Sequence, residues 1–276
     1  MKSGKFRLMT EARQGPYSDE PSPWLNRMTE IGDARPRYAL IDAARGEAIV
    51  LMIVYHFSWD LTFFGLAGFR VFTDPWWIGF ATVIVIIILG VMGITQVMAR
   101  RRGQTALATF RRLGLIAASA GAVSLATYWM DPGSYVFFGI LHHIALASVL
   151  IAGALFLPSP ALVVLAALFL AVPEFLAHPA FAADWLLWVG LAPVPPPSVD
   201  YVPLVPWFSV PLLGVVAGRW MFRDGSAPAV LGWRPAHPLT KLLRLAGRHS
   251  LALYLVHQPI LYGGLYLLMG IIGRGP

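Results

Sequence analysis

The stretch ARGEAIVLMIVYHFSWD, residues 44–60, is apolar enough to enter a bilayer, yet it carries Arg45, Glu47, His56 and Asp60, with Asp42 just ahead of it. Steps of three and four residues return to one face of a helix, so Asp42, Arg45, His56 and Asp60 form a single polar stripe and Glu47 points elsewhere. An ionisable group at mid-bilayer costs on the order of 2–3 kcal/mol, so such groups face the interior of a bundle and mark a site or a pathway. Arginine is a permanent planar cation that grips phosphate or carboxylate as a fork. Histidine titrates near neutrality and suits general-base work. Asp60, one helical turn beyond His56, is spaced to orient that ring or to stabilise its charge. A plain ion pair between Asp42 and Arg45 is the simpler alternative for the inner half of the stripe.

Two further stretches place polar groups in apolar surroundings. FFGILHHIALAS contains the adjacent pair His142 and His143. Helical neighbours diverge by about 100°, so the two do not readily chelate one metal, and at most one reaches the point that His56 faces. In SLALYLVHQPIL, Ser250 is placed as a helix cap, and Pro259 lacks the N–H that would bond the Leu255 carbonyl, which predicts a kink beside His257 and Gln258. Counting the helical rise from the span ends predicts two levels: His56 with His142 or His143 at an outer one, and Arg45 with His257 at an inner one.

The elements that must hold these groups are membrane helices. Hydrophobic residues make up 57% of the 276-residue chain and charged residues 13%, which describes a lipid-solvated protein. A ruler of about 20 apolar residues per crossing gives seven spans, near 38–60, 76–98, 113–130, 136–156, 160–177, 204–222 and 250–272. The expected fold class is all-α, a polytopic transmembrane bundle over residues 37–276. Residues 1–36 are expected to be a flexible cytoplasmic tail, with span one as an uncleaved signal anchor. The net charge of +7 comes from basic residues lying between spans, and 18 of the 21 Lys and Arg fall on one side of the expected topology. The positive-inside rule then sets the N-terminus in the cytoplasm and the C-terminus outside.

That topology explains the basic loops without nucleic acid. Cysteine is absent, which removes disulfides, a thiolate nucleophile and thiolate metal sites. There is no phosphate-cradling glycine loop, no Gly-x-Ser-x-Gly elbow and no metal-binding signature. Residues 178–203 hold no Lys or Arg and are expected outside, where FAADWLLWVGL reads as a short interfacial helix followed by the stiff run PVPPP. This segment is either a surface loop or a lid.

Four fragments in order, ALIDAARGEAIVLMIVYHFSWDLTFFG, FFGILHHIALAS, SVDYVPLVPWFSVPLLGVVAGR and AGRHSLALYLVHQPIL, resemble the bacterial heparan-α-glucosaminide N-acetyltransferase catalytic-domain family over residues 36–271. Arg45 and His56, with ten residues between them, also match the arginine-histidine pattern of membrane acyltransferases that modify cell-surface polysaccharides. Two features depart from the family: HFSW lies directly on the first span, and Glu47 stands where an apolar residue is expected. The resemblance implies transfer of an acetyl or similar group from cytoplasmic acyl-CoA, such as acetyl-CoA, to an amine or hydroxyl of a cell-surface sugar or glycolipid. It implies no permanently bound cofactor and a bacterial inner (plasma) membrane location. Carried over by position, His56 is the catalytic histidine, with Asp60 and His142 as further catalytic candidates. Arg45 and His257 become candidates for donor binding, and Asp200, Tyr201 and Trp207 for acceptor binding. The competing reading from the intramembrane charges is a transporter or flippase for a polar or lipid-linked solute. Against it, the polar motifs do not recur at a fixed offset, whereas many transporters are built from repeats. A noncatalytic scaffold with internal ion pairs is the third reading.

Overall fold

A computed structural model describes residues 38–223 and 237–273, together with Leu231 and Pro235; the expected tail at 1–36 lies outside the described residues. The long helices are α1 (Ala39–Phe63), α2 (Pro75–Arg101), α3 (Ala106–Met130), α4 (Ile140–Ala154) and α5 (Ser159–Leu176). They are followed by the short α6 (Leu204–Trp207), then α7 (Ser209–Met221), α8 (Pro238–Arg248) and α9 (Ser250–Ile271). No strand occurs among the described residues, so the fold is all-α. Seven helical stretches occupy the positions of the seven expected spans. Five of them are long and apolar enough to cross a bilayer: α2, α3, α5, the α6–α7 stretch and α9. Of the other two, α4 has 15 residues, and α1 carries the polar stripe.

Local sequence explains where these helices begin. Asp74 accepts the Trp76 N–H at 2.8 Å with Pro75 in the first turn of α2, and Thr105 accepts the Ala108 N–H at 3.3 Å ahead of α3. At the opposite end of α2, Arg100 and Arg101 lie in the last turn, where the helix dipole favours cations. Arg219 of α7 donates to the carbonyls of Leu157 at 2.7 Å and Leu155 at 2.9 Å, satisfying backbone groups left free where α4 ends.

Two expectations are corrected here. The segment 223–249 is more than a basic connection, because it contains α8. In α8, Leu239, Leu242 and Leu245 recur every third residue, with Lys241, Arg244 and Arg248 between and beyond them. This amphipathic pattern is invisible to a ruler for continuous apolar spans. His249 both ends α8 and precedes α9, so Ser250 opens α9 instead of capping it. Likewise FAADWLLWVGL forms no α-helix. Two 3-10 turns, Pro179–Ala182 and Leu187–Val189, fold the chain back so that the His178 N–H reaches the Leu191 carbonyl at 3.0 Å. Gly190, at φ 93°, adopts the left-handed conformation that ends the second turn.

Interhelical packing rests on two glycine contacts. A Cβ on Gly46 of α1 would collide with the Leu243 carbonyl of α8, and one on Gly247 would collide with the Asp42 carbonyl. Gly93 and Gly214 meet in the same way between α2 and α7. Small residues let backbones approach closely where lipid supplies no hydrophobic drive between helices. The start of α1, the end of α2 and the end of α7 meet in the cluster of Ile41, Met98 and Phe222, which defines a basic end of the bundle. The opposite end carries the α1–α2, α3–α4 and α5–α6 connections. The last two are joined by the Val199 N–H to the Ser134 carbonyl at 3.2 Å and the Val202 N–H to the Phe138 carbonyl at 3.1 Å.

Forcing a methyl group into a closed backbone contact strains the core by about 1–3 kcal/mol. Gly46→Ala and Gly247→Ala are therefore each expected to lower the unfolding midpoint in detergent, whereas Gly79→Ala, with open space around it, is not. Equal midpoints for Gly46→Ala and Gly79→Ala would remove the contact from the account.

Candidate functional site

At the end away from the basic connections lies a cavity of about 770 Å³ between α1, α2, α9 and the connection 195–202. His56, Asp200, Tyr201 and Trp207 all line it, joined by Tyr55, Trp59 and Tyr254. Pro195, Pro196 and Pro197 of the stiff run line it as well, so this part of the α5–α6 connection is a wall of the cavity. The ring nitrogens of His56 have no protein hydrogen bond among the described residues, and the ring packs against that of His257 at 5.0 Å between centroids. A histidine with free nitrogens at a cavity wall is placed to exchange a proton with whatever occupies the cavity.

Asp200 faces the cavity from the loop before α6. One of its oxygens accepts the Ile140 N–H at 3.0 Å and the Tyr254 hydroxyl at 3.0 Å. Burial raises its carboxyl above the ordinary range, opposed by these two donors, which favour the ionised form. Tyr201 donates its hydroxyl to the Leu187 carbonyl at 2.7 Å, and burial pushes its pKa up to about 12, so it remains a protonated donor.

A second cavity of about 350 Å³ lies toward the basic end and is lined by Arg45, Arg112 and Arg248 together with Thr95, Ser250 and Leu251. Asp42 approaches Arg45 at 3.7 Å and Arg248 at 3.6 Å, so one carboxylate bridges two cations. Three guanidinium groups against that one carboxylate leave this cavity electropositive, suited to an anionic ligand. Arg112 had counted only as a loop charge in the sequence; its place on the second turn of α3 sets it, still exposed, at the edge of this cavity.

The remaining candidates fall elsewhere. His257 does not share the level of Arg45 but packs on His56, with its Nδ1 donating to the Tyr254 carbonyl at 2.6 Å. The depth count failed because the first two turns of α1 run beside α8, below the start of α9. Asp60 is fully buried and accepts from the Gln258 amide at 2.7 Å, so α9 holds it, with no bond to His56. His142 faces away from the His56 cavity. Its Nδ1 accepts the Gly139 N–H at 3.2 Å and its Nε2 lies 3.2 Å from the Ser124 hydroxyl, which caps the start of α4. His143 is fully buried, with Nδ1 donating to the Val202 carbonyl at 3.2 Å. Glu47, the outlier of the stripe, is exposed.

An all-α bundle with membrane-spanning helices and an interior polar site is an integral membrane protein. The family described as heparan-alpha-glucosaminide N-acetyltransferase, catalytic, matches residues 37–259, and the chain belongs to it. Membership implies a membrane acetyltransferase. No curated protein and no solved structure matches the chain.

A carboxyl whose folded-state pKa is raised favours the fold while protonated, and that contribution is lost as the pH rises through the raised value. Asp200→Asn, which keeps an oxygen for Ile140 and Tyr254, should abolish this fall of the unfolding midpoint with rising pH. Asp200→Ala should instead lower the midpoint at every pH, because the orphaned donors cost about 1–3 kcal/mol of stability. A pH series of thermal unfolding in detergent checks both, and an unchanged slope in the Asn variant refutes the assignment.

Proposed function

We propose that this protein transfers an acetyl or similar acyl group from acyl-CoA, bound at the basic end, to an amine or hydroxyl of a sugar or glycolipid in the His56 cavity. The observation that carries this reading is the pairing of a guanidinium-lined cavity with an adjacent histidine-and-carboxylate cavity in one bundle, the first toward its basic end and the second toward the other. A CoA thioester combines phosphates with an acyl group at the tip of a long flexible arm. Arg45, Arg112 and Arg248 suit the phosphates. His56 suits the acceptor, while Asp200, Tyr201 and Trp207 supply polar and aromatic surfaces of the kind that orient a sugar.

In the direct reaction His56 takes the acceptor's proton as the acceptor oxygen or nitrogen attacks the thioester carbonyl. The carbonyl carbon gains that bond and loses its bond to sulfur, and His56 returns the proton to the departing thiolate. In the stepwise form a nitrogen of His56 carries the acyl group between donor and acceptor. No permanently bound cofactor enters either route. The positive-inside rule places the basic end in the cytoplasm, the N-terminus inside and the C-terminus outside, in keeping with a bacterial plasma membrane protein that acts on the cell envelope.

His56→Ala in purified, reconstituted protein is expected to slow transfer from labelled acetyl-CoA by about 10²-fold or more. Arg45→Lys should raise the KM for acetyl-CoA with a smaller effect on kcat, since a point charge replaces a planar fork. Transfer by His56→Ala at the unmutated rate would end this assignment.

A further inference from the structure

Three residues line both cavities: Ile88 of α2, Ile140 at the start of α4 and Tyr254 of α9. They form the wall between the guanidinium cavity and the His56 cavity, and Tyr254 is the one with a polar tip. Its hydroxyl donates to the same Asp200 oxygen that accepts the Ile140 N–H, so a single carboxylate oxygen ties two wall residues together. At its backbone, the Tyr254 carbonyl accepts from His257, whose ring packs on His56. Tyr254 thus touches Asp200 directly and His56 through His257.

We infer that Tyr254 is a positioning residue that divides the site: its ring closes the passage between the two cavities, its hydroxyl latches on Asp200, and its displacement lets the donor arm reach His56. What passes rests on the acyl-transfer reading; the passage itself does not. The isoleucines are short and carry no polar group, so neither can be both barrier and latch. A tyrosine swings a large ring about two torsions and finds one hydrogen bond at a defined end point. One hydrogen bond to a carboxylate is strong enough to fix the closed position and weak enough to break in each turnover. A closed resting wall also keeps the thioester away from water on the acceptor side.

The absence of cysteine makes the passage directly measurable. Thr82→Cys places one thiol on the wall of the His56 cavity. In sealed vesicles, a small membrane-impermeant thiol reagent is applied to either face in turn. With Tyr254 present, labelling from the face bearing the basic connections should be slow. Tyr254→Ala should accelerate it several-fold, and Tyr254→Phe, which keeps the ring and loses the latch, by less. Asp200→Asn combined with Tyr254→Phe should accelerate it no more than the stronger single change, because both weaken the same bond. If Tyr254→Ala fails to fold, the Phe and double variants carry the test. In parallel, Tyr254→Phe should raise acetyl-CoA hydrolysis without acceptor relative to transfer, a ratio that a purely structural residue would not move. Unchanged basic-face labelling in every folded Tyr254 variant overturns the inference. Altered labelling in a protein that transfers no acyl group keeps the divider and removes the acyl-transfer reading.

Discussion

Gly46 and Gly247 bring the backbones of α1 and α8 into direct contact, and the register of the interior follows from that point. Counting ten residues onward from each glycine reaches His56 on α1 and His257 on α9, whose rings meet. Around the contact itself, Asp42 bridges Arg45 and Arg248. A helix cannot slide by part of a turn once its backbone is locked against another, so one contact between residues without side chains sets both the cationic and the histidine levels. The Asp60–Gln258 bond, just beyond the histidine pair, fixes the same register from the other side.

Separation of the two chemistries is as consequential as their presence. Arg45 and His56 are eleven residues apart on one helix, roughly 16 Å along its axis. The cation lines its own cavity, apart from the His56 ring, and one helix carries both. A wall of three residues separates the two cavities. It is built from three different helices, α2, α4 and α9.

Much of this was legible in the residues. Composition and apolar run length give an all-α membrane bundle and the positions of its long helices. Helical periodicity separates Glu47 from the stripe, and the chain indeed exposes it. The divergence of adjacent histidines separates His142 from His143. Other features were hidden for physical reasons. In α8 a period near three, with charges between the leucines, has the composition of a polar loop. Tyr254 lies in an apolar run where an aromatic residue draws no notice, and only its contact with Asp200, 54 positions away in sequence, distinguishes it. His142 looks like a second base in sequence but serves as a cap, because helix starts leave N–H groups that a nearby side chain satisfies.

By itself, the sequence determined the solvent of this protein, its helical class, the stripe on α1 and the family whose motifs it carries. These are properties of composition and local period, and the cost of polar groups in lipid enforces them along each segment. Only the tertiary structure decided that His257 lies with His56 and not with Arg45, that α9 holds Asp60, and that Arg112 and Arg248 join Arg45. It alone decided that Tyr254 stands between the two cavities. Those facts depend on the relative height and rotation of helices, which are set by close backbone contacts and long-range hydrogen bonds that no count along a single span can measure.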